Sequence, residues 1–336
     1  MPVRKAFGVV KNIMQKDFHY DIIYALAKAA GYADNDAHII AYASQYVDDN
    51  TDREYTVVDS HGEFYVGFPD EIGKSGDLYF PIITQAVDIT SFKLSVQRYV
   101  FAPFHFIPGD NNVEIGGKKN PLCTTRGCKN AVTLLHEAIK NKDFYRIGVA
   151  LHAYADTWSH ERFSAFHEDW NKVHKSIIKG LPPNIGHAEV FNKPDEISLQ
   201  WIDKRFGKDK IDNRERSLRA SEEIFSFLNK GQAQWTDISI QFEGIMGAKN
   251  SNERIKLIRN IYPNMPEYHE DQWINEALVF TRDKSKIPES DPLIPTPIPR
   301  PRFVDISVKD INSHWFRFQK AAKKQLAMVL SMIEVL

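Results

Sequence analysis

Apolar residues recur every three or four positions along most of the chain, the spacing that places them on one face of an α-helix. The first such stretch covers residues 17–30 and ends at Gly31, and the second covers residues 34–49. The same spacing predicts further helices over residues 84–102, 128–141, 143–178, 213–229, 235–247, 251–260, 266–280 and 307–335. The pattern therefore predicts a mainly α protein built from many helices.

Two segments depart from the helical period. Residues 54–58 and 63–68 are rich in Tyr, Val and Phe on either side of a Ser-His-Gly turn, which predicts a small β-hairpin insertion. A proline-rich segment nearer the C-terminus predicts an extended strap over residues 287–306. Since no other boundary stands out, we expect a single domain with a helical body over residues 1–286. The strap then leads to a C-terminal helix, residues 307–336, that packs on the same domain.

Composition narrows the class of protein. With 336 residues, 43% of them hydrophobic and 26% charged, the chain is long enough for a sizeable buried core. The net charge of −1 gives no global field that would attract nucleic acid. No apolar run approaches the roughly 20 residues of a membrane span, and no signal peptide is seen, so we expect a soluble, cytoplasmic protein.

One helical segment carries an unusual set of ionisable residues. His152, Asp156 and His160 follow each other at four-residue spacing, so they share a stripe of the helix with the apolar Val149 and Phe163. Ionisable groups on a core-facing stripe are costly unless they are paired or bind a metal. The spacing favours Asp156 as a shared ligand, with metal ions on either side. The alternative is a buried His–Asp hydrogen-bonded network without an ion.

Five further residues are candidates for the same site. His19 lies on the apolar face of the first helix, and Asp48 and Asp49 end the second helix, where the helix dipole disfavours carboxylates unless a cation is near. His105 lies in a short aromatic segment between two prolines, and His187 lies in a loop. The alternatives are core histidines at 19 and 105, a surface histidine at 187, and an ordinary helix stop at Asp49.

The order of these motifs resembles that of the zinc-dependent phospholipase C and single-strand nuclease superfamily. It resembles more closely an uncharacterised bacterial branch of proteins of unknown function. The resemblance covers roughly residues 17–190. It rests on the segments Phe18-His19-Tyr20, Tyr42-Ala43-Ser44-Gln45-Tyr46-Val47-Asp48-Asp49, Pro103-Phe104-His105-Phe106 and the run from His152 to His160.

The resemblance implies a phospholipase C-like helical core that binds one or two zinc ions, with Mn or Fe as alternatives. It implies hydrolysis of a small-molecule or lipid phosphodiester by metal-activated water. Asp48, Asp49 and Asp156 are the candidate catalytic residues. The candidate metal ligands are His19, Asp48, His105, His152, Asp156, His160 and His187.

A second hypothesis comes from another class of protein. The superfamily has a further His-x-x-x-Asp/Glu pair that is not found here, and the chain beyond the resemblance is long. These two facts favour a non-catalytic helical interaction protein with a structural or degenerate metal site. An open position in the coordination sphere would argue against this second hypothesis.

Overall fold

Ten helices make up most of the part of the chain that the structure describes. The structure is a computed structural model that describes residues 16–51, 74–75, 78–79, 82–86, 89–109, 113–173, 184–208, 210–231, 233–281 and 305–333. The chain is mainly helical and forms a single α-rich domain, as predicted. The predicted hairpin over residues 54–58 and 63–68 lies outside the described residues, as does the strap up to residue 304.

Two of the ten helices are not α-helical throughout. Helix α1 begins with a π-helical stretch, Asp17–Ile22, and continues as Ile23–Ala29. Helix α3 runs through Leu94–Val96, a π-helical stretch at Gln97–Phe101, and Ala102–Phe104. The others are α2 (Asp34–Asp49), α4 (Lys129–Lys140), α5 (Phe144–Ser159), α6 (Asn213–Leu228), α7 (Trp235–Gly247), α8 (Ser251–Ile261), α9 (Gln272–Ala277) and α10 (His314–Ile333).

The strands are short and pair only in twos within the described part of the chain. All four pairs are antiparallel, and none of them joins another into a larger sheet. They are β1 (Lys74–Ser75) with β2 (Leu78–Tyr79), β3 (Glu114–Ile115) with β4 (Lys118–Lys119), β5 (Gln200–Ile202) with β6 (Lys210–Asp212), and β7 (Leu278–Thr281) with β8 (Asp305–Val308). The β7–β8 pair joins the two ends of the strap, because Leu278 is paired with Val308.

Four predicted helices differ from the structure at their ends. The helix predicted over residues 84–102 begins only at Leu94, because the start of that segment bonds the end of α2 instead: Thr84 N–H donates to Asn50 O at 3.1 Å. The helix predicted over residues 143–178 ends at Ser159, because the chain then turns to bond a loop: Arg162 N–H donates to Thr124 O at 2.8 Å. The helices predicted over residues 266–280 and 307–335 are shortened by strands β7 and β8. Such pairing with residues distant in sequence overrides the local periodicity.

The C-terminal elements pack onto the same core as the N-terminal helices. Trp273 of α9 stacks on Tyr42 of α2 with ring centroids 3.9 Å apart, and Phe318 of α10 meets Tyr46 edge-on at 4.8 Å. Helix α10 also packs along α5. The final helix therefore lies on the body of the domain. None of the described helices combines the length and the apolar character that crossing a membrane requires.

Helices α2 and α5 cross in close contact at Gly148. A Cβ atom added to Gly148 would lie 2.4 Å from Ile40 O and 2.6 Å from Ala43 Cβ. Only a residue without a side chain permits this backbone approach. The crossing sets the distance between Asp48 at the end of α2 and His152 one turn further along α5.

We expect Gly148→Ala to destabilise the protein by about 2 kcal/mol, because the new methyl group forces the two helices apart. At an open helical position the same change stabilises by about 1 kcal/mol. Gly244→Ala in α7 is the matched control, since nothing lies within 4 Å of the added Cβ there. Urea unfolding of both variants measures the difference, and equal gains in stability would contradict the close crossing.

Candidate metal centre

Helix α5 brings His152 and Asp156 into the interior of the domain, and His160 follows directly after its last residue. All three side chains are fully buried, as the stripe predicted. Asp156 Oδ2 lies 3.3 Å from His152 Nε2 and 3.5 Å from His160 Nδ1. His160 lies at the C-cap with non-helical dihedral angles, so the helix ends inside the site rather than running through it.

Three predicted residues from other helices meet this stripe. His19 Nε2 lies 3.2 Å from Asp156 Oδ1, and His105 Nδ1 lies 3.2 Å from Asp156 Oδ2. Asp48 Oδ1 lies 3.7 Å from His152 Nε2. The carboxylate of Asp156 is thus surrounded by imidazole nitrogens, and a second buried carboxylate stands beside them.

The π-helical stretches occur at the two histidines that approach from outside α5. His19 lies within the π-helical stretch of α1, and His105 caps the helix that contains the π-helical stretch of α3. Such stretches are rare and occur often at functional sites. The sequence pattern did not indicate them, because apolar periodicity does not distinguish a local π-turn from an α-turn.

The hydrogen-bond partners of His105 indicate where a proton or a cation would fit in the centre. His105 Nε2 donates to the carbonyl oxygen of Thr84 at 2.8 Å, so in the neutral ring Nδ1 carries a lone pair. That lone pair faces Asp156 Oδ2 and His152 Nε2, both at 3.2 Å. Acceptor atoms facing one another repel unless a proton or a cation lies between them.

A second lobe of the site is formed by His160, His187 and Asp195. His160 Nδ1 donates to the carbonyl oxygen of His105 at 2.9 Å, and its Nε2 lies 3.0 Å from Asp195 Oδ1. His187 Nε2 lies 3.5 Å from Asp195 Oδ2. Asp195 is not among the predicted ligands. Its only sequence signal is a carboxylate eight residues after His187, and this spacing carries no information because the segment between them is a loop rather than an α-helix.

The remaining ligand candidates, His19, Asp48, His105, His152 and Asp156, form the first lobe of the site, and charge is unevenly distributed over it. Burial raises the pKa of Asp48 well above its usual value, and the neighbouring carboxylate of Asp156 adds to the effect. Burial also lowers the pKa of His152 to about 3, with His19 contributing. A cation among these groups would favour the ionised carboxylate of Asp48 and the neutral ring of His152.

Histidine–carboxylate pairing governs the charge of the second lobe. Burial favours a lower pKa for His160, but the carboxylates of Asp156 and Asp195 outweigh it and raise the pKa to about 9. Burial likewise opposes ionisation of Asp195, yet His187 and His160 hold its pKa below the usual value. The second lobe is therefore electrostatically satisfied by its own residues to a greater extent than the first.

The residues of the first lobe fit a divalent cation. Among the described residues, nothing donates a hydrogen bond to the buried carboxylate oxygens Asp48 Oδ2 and Asp156 Oδ1, although His19 Nε2 lies 3.2 Å from the latter. Mixed imidazole and carboxylate donors suit Zn, Mn and Fe. Three groups of donor atoms, each within 4.8 Å of one another, could hold an ion: His19, His152 and Asp156; Asp48, His105 and His152; His160, His187 and Asp195.

The side chain of Asp49 contacts Tyr268 and Gln45 and not the candidate metal ligands that Asp48 contacts. Its Oδ2 accepts hydrogen bonds from Tyr268 Oη at 2.7 Å and from Gln45 Nε2 at 3.0 Å. It belongs to none of the three donor groups among the described residues. The catalytic role predicted for Asp49 stays a prediction.

Two residues that support the ligands were missed in the sequence. Thr84 supplies the carbonyl that orients His105, and Gln85 Nε2 approaches Asp48 Oδ1 at 3.4 Å. Partners of this kind fix the orientation of metal ligands. Residues 82–86 are extended rather than helical, which lets consecutive residues reach two different ligands.

Comparison with known proteins assigns the chain to a family without a described activity. No curated protein and no solved structure matches the chain. The predicted likeness to a family of unknown function is confirmed, whereas no comparison supports the likeness to the phospholipase C and nuclease superfamily. A family of unknown function, DUF6765, matches residues 14–333, and the chain belongs to that family.

Proposed function

We propose that the protein is a metal-dependent hydrolase of phosphodiesters, similar in its chemistry to the phospholipase C and single-strand nuclease superfamily. One observation carries the proposal. The buried carboxylate of Asp156 has four imidazole nitrogens within 3.5 Å, and they come from three separate parts of the chain. A convergence of this kind is costly in the absence of a bound cation and is typical of metal-dependent hydrolases.

The proposed metal ligands come from three helices. Asp156 and His152 form the rigid part, because both belong to α5, and His19 and His105 complete the donor set from α1 and α3. A bound divalent ion would supply Lewis-acid activation of water and of phosphoryl oxygens. Zinc is the proposed ion, with manganese or iron as alternatives.

Asp48 is the proposed group for orienting water and accepting its proton. Its Oδ1 lies near His152 Nε2 and Gln85 Nε2, while its Oδ2 accepts no hydrogen bond from the described residues. A cavity of about 30 Å³ reaches the site beside His19 and Asp195, enough for about two water molecules. The site therefore has room for water next to its ligands, as an open coordination sphere requires.

Metal analysis combined with chelation tests the proposal. We expect protein purified without added metal to contain about one or two zinc, manganese or iron ions per chain. Turnover on a panel of nucleotide, lipid and nitrophenyl phosphodiesters should be lost on chelation and regained when the metal is restored. Substoichiometric metal and no turnover anywhere in the panel would refute the proposal.

The same experiment decides between hydrolysis and the interaction-protein hypothesis. Full metal occupancy with no turnover, together with a large fall in the melting temperature on chelation, would favour a structural metal. The substrate and the cytoplasmic location stay predictions, since neither follows from the geometry of the site.

A further inference from the structure

Arg216, in the first turn of α6, is a buried cation with incomplete neutralisation. Its side chain is only 7% exposed. Nη2 donates to Ser159 O at 2.7 Å and Nη1 to Asn213 Oδ1 at 3.4 Å, while the buried Nε has no partner. Burial lowers the pKa of the guanidinium to about 10, which still leaves it charged at neutral pH. A buried charge of this kind is costly unless it is paired.

The carboxylates that influence Arg216 are already paired with other residues. Glu161 lies 2.9 Å from Arg126 Nη2, and Asp195 lies 3.0 Å from His160 Nε2. Within the described ranges, no carboxylate comes within ion-pair distance of the Arg216 guanidinium. Glu161 and Asp195 still act on Arg216 electrostatically, but neither pairs with it directly, so the guanidinium can bind an anion.

Arg216 stands where two spaces of the molecule meet. It lines the cavity of about 30 Å³ that also touches His19 and Asp195. It also lines a wider pocket of about 510 Å³. The rest of that wall carries four cationic and four acidic side chains, together with the apolar Phe206 and Ile211. An anion bound to Arg216 would thus lie beside the candidate metal ligands, with the rest of its molecule in the wider pocket.

We infer that Arg216 binds the phosphate group of the substrate and that the wider pocket receives the organic part of the ester. This inference rests on the proposed function for the identity of the anion. The planar guanidinium offers parallel N–H groups that match two oxygens of a phosphate. The volume of the wider pocket is typical of small-molecule sites, and Phe206 and Ile211 provide apolar surface for an organic alcohol within a wall that carries charges of both signs.

Titration of the full-length protein with inorganic phosphate tests the inference without requiring turnover. We expect Arg216→Gln to weaken phosphate binding by about tenfold or more, as the loss of a charge-assisted bidentate contact does. Arg216→Lys keeps the positive charge but not the planar pair of N–H donors, so its affinity for phosphate should fall by about threefold. The metal content of each variant, measured on the same samples, should equal that of the wild type.

Arg214→Gln is the matched control, because Arg214 is an exposed arginine of the same first turn of α6 that lines neither cavity. Phosphate affinity of this variant should stay within about twofold of the wild type, since an exposed charge contributes little. The inference is overturned if the wild type binds no phosphate at millimolar concentration, or if Arg216→Gln retains its affinity. An equal loss in Arg214→Gln also overturns it.

Two further measurements, of folding and of turnover, separate a failure to fold from a failure to bind phosphate. If near-ultraviolet circular dichroism shows that Arg216→Gln is misfolded, Arg216→Lys decides, and unchanged phosphate affinity in that variant overturns the inference. If phosphate binding depends on Arg216 but no diester is hydrolysed, the anion site stands and the proposed hydrolysis fails. If turnover does not depend on Arg216, the proposed hydrolysis stands and the anion site fails.

Discussion

Asp156→Asn should abolish metal binding and hydrolysis together. The change keeps the volume of the side chain but removes the anionic charge that four imidazoles share within 3.5 Å. We expect metal content to fall to background and turnover to fall by about three orders of magnitude. The melting temperature of the variant should no longer respond to added zinc, because the folded state has lost its differential affinity for the ion.

Asp36→Asn is the control for this variant, since Asp36 lies at the partly exposed start of α2, far along the helix from Asp48. It should keep the metal content, the turnover and the zinc-dependent shift of the wild type. If Asp156→Asn retains wild-type metal stoichiometry, the carboxylate is not a ligand; if neither protein contains metal or binds zinc, the site is a hydrogen-bonded His–Asp network. Elemental analysis and calorimetry with zinc distinguish the two outcomes.

The part of the site that lies on one helix could be predicted from the sequence. The four-residue spacing of His152, Asp156 and His160 determines which way the side chains point, and all three are buried together. His19 and His105 were harder to assign, because a lone histidine on an apolar face is equally consistent with a core position. Their approach to Asp156 depends on how three helices pack, which periodicity alone does not encode.

Other parts of the site had no local sequence signal. Asp195 reaches His160 from an irregular loop, and Thr84 orients His105 through its backbone carbonyl, which every residue possesses. The fold shows the same limit, because β7 and β8 pair across the strap and cut short two predicted helices. Local pattern therefore predicted the class of fold and the central ligands, while long-range contacts determined element ends and supporting residues.

The contact between Asp17 and Arg254 joins the C-terminal half of the domain to the first ligand-bearing helix. Arg254 Nε donates to Asp17 Oδ2 at 2.5 Å, and both side chains are fully buried. Arg254 Nη1 also donates to Ser198 Oγ at 3.0 Å. Because Asp17 starts the π-helical stretch that contains His19, this ion pair connects α8 to the position of a candidate ligand.

Arg254→Met should destabilise the protein by about 3–5 kcal/mol, since it leaves the carboxylate of Asp17 buried without its partner. Arg259→Met in the same helix is the control. Within the described part of the chain, Arg259 donates to the backbone carbonyls of Met265 at 3.2 Å and Pro266 at 3.5 Å, so its loss should cost about 1 kcal/mol. Urea unfolding of both variants measures the two free energies.

The double variant Asp17→Leu with Arg254→Met separates stability from function. Replacing both charges with apolar groups removes the unpaired carboxylate, so most of the stability lost in Arg254→Met should return. Metal affinity should nevertheless stay below that of the wild type, because the fixed starting point of the π-helical stretch before His19 is gone. Recovery of both stability and metal affinity would show that the ion pair only packs the core. Recovery of stability alone would show that it positions His19.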